Sequence, residues 1–529
     1  MPDFPITWPD PEDANIMWRR DKWHFPDPAT PLTGDVFALT GRGFSRAMAL
    51  QGAPVRMEFR RINTYLYAGI RPAQPSDPPA DPAGRIPERF ENHATWDNEW
   101  LPEIQGYHAR SAAFQETEPT AEQWLAHIDE AIEWNVRCWE IHSLLGFQNG
   151  PLLDFCQKEL GWDMPAATRL VAGITNKSLE SDDRLRELTS MVRDSPELMK
   201  AFSENAVPDI RAALPSSEAG AKFRTTLDAF LAEFGQRSDN LHELALPSWI
   251  EDPTPVLAII RAYVIRPERD HDAMRADLVA SREAAIAEAR SQLADKPAET
   301  REAFERELVY GLRASELNET HNYWIDQMCL YWLRRDFLVA GEMLKKSEVI
   351  DAVDDVFYLR VSEVQEAVGG NATGRQATVT ERKAEMARFA TFEPPMELGR
   401  PTPPPIAQGM SLAFGGHTSG EVAGEVHGQA GSPGTVTGTA RLIASLLDAD
   451  RLEPGDILVA VTTSPPWTPL FGIASGIVTD AGGAMSHCAI VAREYGIPAV
   501  VGCFDATARI ADGDVITVDG DAGIVRLSG

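Results

Sequence analysis

The chain has 529 residues, 43% of them hydrophobic and 24% charged, the balance of a globular protein with room for two to four domains. Its formal net charge of −30 argues against a surface for nucleic acid or anionic membrane, since both demand local positive charge. Five scattered cysteines, Cys138, Cys156, Cys329, Cys488 and Cys503, form no CxxC pair, so neither a zinc site nor a disulfide framework is read from them. The opening Met1-Pro-Asp-Phe-Pro5 has no basic segment followed by an apolar one. No apolar run reaches the length of a membrane span, so a cytoplasmic protein is expected.

Residues 1 to about 120 are rich in Pro, Trp and short apolar runs. Phe59 to Ile70 reads as strand through Ile62, Thr64, Tyr65, Leu66 and Tyr67, and Pro72 to Pro87 as a proline-rich loop. From about Thr120 to Lys346 the apolar spacing of three and four residues predicts helices. Trp124, Ile128, Ile132 and Val136 fall on one face, as do Leu278, Ile286 and Ala289 of a second helix, and both stripes read as core.

Within this body Asn318-Glu-Thr-His-Asn322 is followed by Tyr323, Trp324, Tyr331, Trp332 and Arg334-Arg335. On a helix Asn318, His321 and Asn322 share a face, with Tyr331 and Trp332 two to three turns further on. Hydrogen-bonding groups beside aromatic rings suit a small alcohol or phenol, with Asn318, Asn322, Tyr331, Trp332 and Arg334 as substrate-binding candidates. The same pattern also fits a buried aromatic helix with a satisfied histidine. Asp354 to Leu359 reads as strand-like. Glu393 to Pro405 and the glycine-rich Gly415 to Gly434 read as a linker of about 40 residues, with an end-to-end distance of roughly 35 Å as a flexible coil.

Near the C-terminus Gly476 to Thr479 predicts a short strand, Gly482-Gly483 a turn, and Ser486 to Glu494 an apolar helix with His487 in its first turn. Ser486 is suited to cap it, and the free backbone N–H groups and dipole of a helix start favour an anion there. The same field disfavours imidazolium and keeps His487 neutral and nucleophilic. The last lysine is Lys383, so a phosphoryl group near His487 would be held by backbone N–H groups around Gly482, Gly483 and Ser486, or by arginines such as Arg441 and Arg493.

These pieces, with Ser432-Pro-Gly434, Gly438-Thr-Ala-Arg441, Pro454-Gly-Asp-Ile-Leu-Val459, Ala489-Ile-Val-Ala-Arg-Glu494, Gly496-Ile-Pro498 and Asp519-Gly520, resemble the phosphohistidine swivelling domain of the phosphoenolpyruvate (PEP)-utilising enzymes. The family usually has Thr at Met485 and Ala at Cys488. Trp18 to Pro26 with Thr30-Pro-Leu-Thr33 resembles the start of the substrate-binding region in rifampicin phosphotransferase-like proteins, and Phe234-Gly-Gln-Arg237, Pro247-Ser-Trp249 and Asp354 to Glu363 resemble later parts of such proteins.

The resemblance implies a multidomain α+β chain: a mixed part at 1–120, a helical substrate-binding domain at 121–392, a linker at 393–430 and an α/β swivelling domain at 431–529. It implies that His487 carries a phosphoryl group and passes it to a hydroxyl; that chemistry needs a base, for which His321 is the first candidate and Glu319 the second. The chain starts almost at the substrate domain, with no glycine-rich phosphate loop followed by Lys. ATP and Mg2+ are therefore expected on a separate ATP-grasp-type subunit, as in the two-subunit phenylphosphate synthases, with AMP and phosphate as the other products. No metal is expected on this chain itself. The alternative is a phosphohistidine carrier or regulatory protein that catalyses nothing on a small molecule.

Overall fold

A computed structural model describes residues 4–50, 53, 55–73, 92–145, 150–240, 242–266, 270–371, 373–400, 424–483 and 486–527. The chain folds into two compact units that interleave in sequence. The first comprises Met1–Gly146, Asn240–Leu246 and His321–Met410; the second comprises Phe147–Asp239, Pro247–Thr320 and Ser411–Gly529. These units cut across the four segments expected from the sequence, because the helical body contributes to both.

In the first unit strands β1 (Met17–Arg20), β2 (Val55–Ile62), β3 (Tyr65–Pro72) and β4 (Glu397–Gly399) form an antiparallel sheet in the order β2-β3-β1-β4. The run expected as one strand from Phe59 to Ile70 is a hairpin. Ile62 pairs with Tyr65 across Asn63 and Thr64, whose φ angles of 46° and 75° give the turn its left-handed backbone. Leu398 of β4 pairs with Trp18, so one end of the expected linker is sheet. Trp18 packs with Ile62, Tyr65, Tyr67, Phe389 and Leu398, and its Nε1–H donates to the Asp13 carbonyl at 2.8 Å. The expected loop from Pro72 to Pro87 lies almost wholly outside the described residues.

Helix Ala121–Leu145 buries Trp124, Ile128, Ile132 and Val136, the stripe legible in the sequence. Asp354 to Leu359, expected as strand-like, is instead a 3-10 turn at Val353–Tyr358. There the Asp355 carboxylate accepts the N–H groups of Asp351 and Ala352, and such local bonds compete with a sheet ladder. A π-helical turn, Tyr323–Gln327, separates helix Ala298–Asn322 from helix Met328–Lys346. The extra residue it takes up shifts Tyr331 and Trp332 out of the helical phase that a continuous α-helix would give them relative to Asn318 and Asn322.

The second unit joins helices Gly150–Leu160, Lys177–Arg193, Glu218–Phe234, Thr254–Val264 and His271–Gln292 to an eight-stranded mixed sheet. Ile286 and Ala289 are buried as expected, whereas Leu278 is only half-buried. The sheet comprises β5 (Glu425–His427), β6 (Gln429–Ser432), β7 (Thr435–Leu442), β8 (Ile457–Ala460), β9 (Gly476–Thr479), β10 (Ala499–Val501), β11 (Val515–Asp519) and β12 (Ile524–Leu527), in the order β5-β12-β11-β7-β8-β9-β10-β6. Neighbours from β7 to β10 run parallel, and every residue of β8 and β9 is buried, as parallel strands covered on both faces require. Strands β5 and β6 occupy the other end of the expected linker; residues 401–423 lie outside the described residues. No described helix is long and apolar enough to cross a membrane.

Candidate active site

Strand β9 delivers the chain to Gly482, whose φ of 111° belongs to the region that favours glycine. A Cβ at Gly482 would lie 3.0 Å from the Ser486 hydroxyl oxygen, and that hydroxyl caps the next helix by accepting the Ala489 N–H at 3.4 Å. Helix His487–Glu494 therefore begins at His487, in agreement with the sequence reading, and its side chain is 6% exposed.

The partners of that ring come from other parts of the second unit. Nδ1 of His487 lies 2.8 Å from Oε2 of Glu319, and the Ser178 hydroxyl donates to the same oxygen at 2.8 Å. Ser178 is itself fixed at a helix start, because Oδ1 of Asn176 accepts the N–H groups of Ser178 and Leu179. Nε2 of His487 lies 3.4 Å from the Thr468 hydroxyl, and the Phe471 ring stands edge-on at a centroid distance of 6.3 Å. Glu319, Ser178 and Thr468 are all buried.

A carboxylate only accepts, so Nδ1 of His487 is the donor and the lone pair of the neutral ring resides on Nε2. The carboxylate also favours positive charge on the imidazole, which a nucleophilic Nε2 acquires when it bonds to an electrophile. The arrangement orients the ring and directs Nε2 away from the carboxylate. Glu319, expected as a base toward an acceptor hydroxyl, lies against Nδ1 of His487, where it orients the ring. His321, expected beside it in one site, belongs to the first unit, where its ring stands edge-on to His142.

The histidine-bearing helix is anchored at its other end. Asp182 accepts from Tyr263, Tyr495 and Arg186, and the Tyr263 hydroxyl also lies 2.7 Å from the Pro469 carbonyl. The Glu494 carboxylate accepts the Gly173 N–H at 2.8 Å, and burial pushes its pKa up to about 8. Burial also lowers the neighbouring Arg493 to about 10. Arg493 and Glu494 line a cavity of about 30 Å3 with Thr168, Asn176, Ser315 and Ile490.

Arg441 does not join this group: its guanidinium pairs with Asp456 at 3.0 Å and Asp512 at 3.5 Å, which corrects its expected place at the phosphate. Among the substrate candidates, Asn318 falls in the second unit, and Asn322, Tyr331, Trp332 and Arg334 fall in the first. Arg334 donates to the Leu244 carbonyl at 2.6 Å and stacks over Phe357. The ring of Tyr331 lies 4.9 Å from that of Trp332. Ser178, Thr468 and Phe471 escaped the sequence reading, because no local pattern links them to a histidine far along the chain.

Residues 452–523 match the PEP-utilising enzyme mobile domain, and residues 143–317 match the rifampicin phosphotransferase fourth domain. The chain is 35% identical to chondramide synthase cmdD of Chondromyces crocatus, over 99% of this chain and 14% of that protein. It is 28% identical to the uncharacterized phosphotransferase YvkC of Bacillus subtilis (strain 168), over 97% of this chain and 62% of that protein. It is 31% identical to a rifampicin phosphotransferase of Streptomyces sp, over 71% of this chain and 43% of that protein. The chain thus spans less than two thirds of each of these relatives.

Proposed function

We propose that this chain, which carries the mobile domain of the PEP-utilising enzymes and the fourth domain of rifampicin phosphotransferase, is the histidine-bearing subunit of an ATP-dependent phosphotransferase. Nε2 of His487 attacks the β-phosphorus of ATP, and the bond to the bridging α–β oxygen breaks to release AMP. Water then removes the γ-phosphoryl group as phosphate. One phosphoryl group stays on Nε2.

The hydroxyl oxygen of a small aromatic acceptor attacks that phosphorus in line. The N–P bond breaks, the hydroxyl proton passes to a base, and the imidazole returns to its neutral form. Binding of ATP and Mg2+ is assigned to an ATP-grasp-type partner subunit, and this chain supplies only the His487 nucleophile. The observation that carries the reading is the Glu319 carboxylate on Nδ1 of His487, which places the reactive lone pair on Nε2, facing the Thr468 hydroxyl. The aromatic acceptor rests on the sequence pattern that sets Asn318 and Asn322 near the rings of Tyr331 and Trp332.

The test is incubation with ATP labelled at the β phosphate and Mg2+, with and without the co-purified partner, for wild type and His487→Ala. Acid-labile label on wild type, dependent on the partner and absent from His487→Ala, is the expected result; a phenol should then discharge it as a phosphate ester. Wild type that stays unlabelled with its partner overturns the proposal. Label that no hydroxyl compound discharges leaves a phosphohistidine carrier.

A further inference from the structure

The first unit contains a second cluster of chemistry-bearing side chains. His142, His321 and Asp326 each offer one ligand atom, and the three atoms lie within 4.8 Å of one another. Nε2 of His142 stands 3.6 Å from Oδ1 of Asp326, too long for a hydrogen bond. It is close to the edge of roughly 3.4 Å that separates two ligands held tetrahedrally about 2.0–2.1 Å from a zinc ion. The His142 and His321 rings meet at 69° with centroids 4.8 Å apart, so they do not stack. Nδ1 of His142 is buried without a hydrogen-bond partner among the described residues.

The backbone supplies an independent observation. His321 and Asp326 are five residues apart, and on an α-helix they would diverge by about 140°. The π turn Tyr323–Gln327 intervenes, with the Met328 N–H reaching the Tyr323 carbonyl. Taking up one more residue per turn, it brings Asp326 back toward the side of His321. The turn thus gathers a carboxylate and an imidazole beside the His142 ring, whose Nε2 faces Asp326.

We propose that His142, His321 and Asp326 bind a divalent transition-metal ion of the zinc type. Two imidazole nitrogens and one carboxylate oxygen serve as ligands, and a further coordination position is open to water or a hydroxyl group. Two nitrogen ligands disfavour Mg2+ and Ca2+, which take oxygen. Ligation occupies the lone pair that His321 would need as a base. The metal site stands on its own and does not rest on phosphoryl transfer.

The test uses the full chain, stripped with a chelator and titrated with Zn2+ by calorimetry and with Co2+ by visible absorption. One equivalent should bind with micromolar or tighter affinity, and Co2+ should show the d–d bands of a low-symmetry site. His142→Ala and the isosteric Asp326→Asn should each weaken binding by about tenfold or more, while His427→Ala, a histidine of the second unit, binds as wild type. Circular dichroism checks that each variant is folded. Wild type that binds neither ion, or folded variants that keep wild-type affinity, would overturn the proposal, and the wild-type titration decides even where a variant fails to fold.

Discussion

A buried imidazole without a partner has no defined tautomer, and at His487 the partner is Glu319. Replacing the carboxylate by an amide keeps the shape but removes the charge and allows the ring to turn. Glu319→Gln is therefore expected to slow phosphoryl transfer to His487 by roughly 10²-fold or more, as loss of an orienting or proton-transferring group does elsewhere. The readout is the rate of acid-labile labelling across pH. A positioning role requires the pH profile to move and Glu319→Asp to recover part of the rate; an unchanged profile with a uniformly lower rate would reduce Glu319 to packing. Sequence reading singled out both residues without pairing them, since spacing along a helix does not say what faces it.

The strand, glycine turn and capped helix around His487 were legible because each is a local choice: β-branched residues, then glycine, then a serine cap. Gly482→Ala is expected to cost roughly 1–3 kcal/mol, since a side chain at that φ is strained and its Cβ meets the Ser486 hydroxyl. Ser486→Ala should cost about 1 kcal/mol by removing the cap. Chemical denaturation measures both, and a neutral Gly482→Ala would mean that the turn relaxes freely. The π turn at Tyr323–Gln327 was not legible, because it trades regular hydrogen bonds for a placement that only neighbouring elements reward.

At the scale of the molecule the helix carrying His487 is seated on the helices of the second unit through Asp182, Tyr263, Tyr495 and Glu494. Glu494, raised by burial from its ordinary 4.5 to about 8, keeps its proton in the folded state where the unfolded chain has lost it. Between those values the folded chain binds more protons, so stability falls as pH rises, by at most about 1.4 kcal/mol per pH unit. Glu494→Gln resembles the protonated form and should flatten that slope; denaturation at pH 5 and pH 8 tests it, and an equal slope in the variant would contradict the assignment. Asp182→Ala removes the acceptor shared by Tyr495, Arg186 and Tyr263, leaving Tyr263 only the Pro469 carbonyl, and should loosen this seat, which amide exchange of residues 487–495 would register.

The sequence by itself determined the capped helix that begins at His487, the glycine turn before it and the amphipathic stripes of the body. All of these depend on interactions within a few residues, which local spacing encodes. Only the tertiary structure decided that Glu319 and Ser178 orient His487, that Arg441 and Arg334 serve ion pairs and packing, and that His142 joins His321 and Asp326. The physical reason is common to them: a side chain's role depends on which partner lies within hydrogen-bond or ligand distance, and those partners are brought together by burial of apolar faces far apart in the chain.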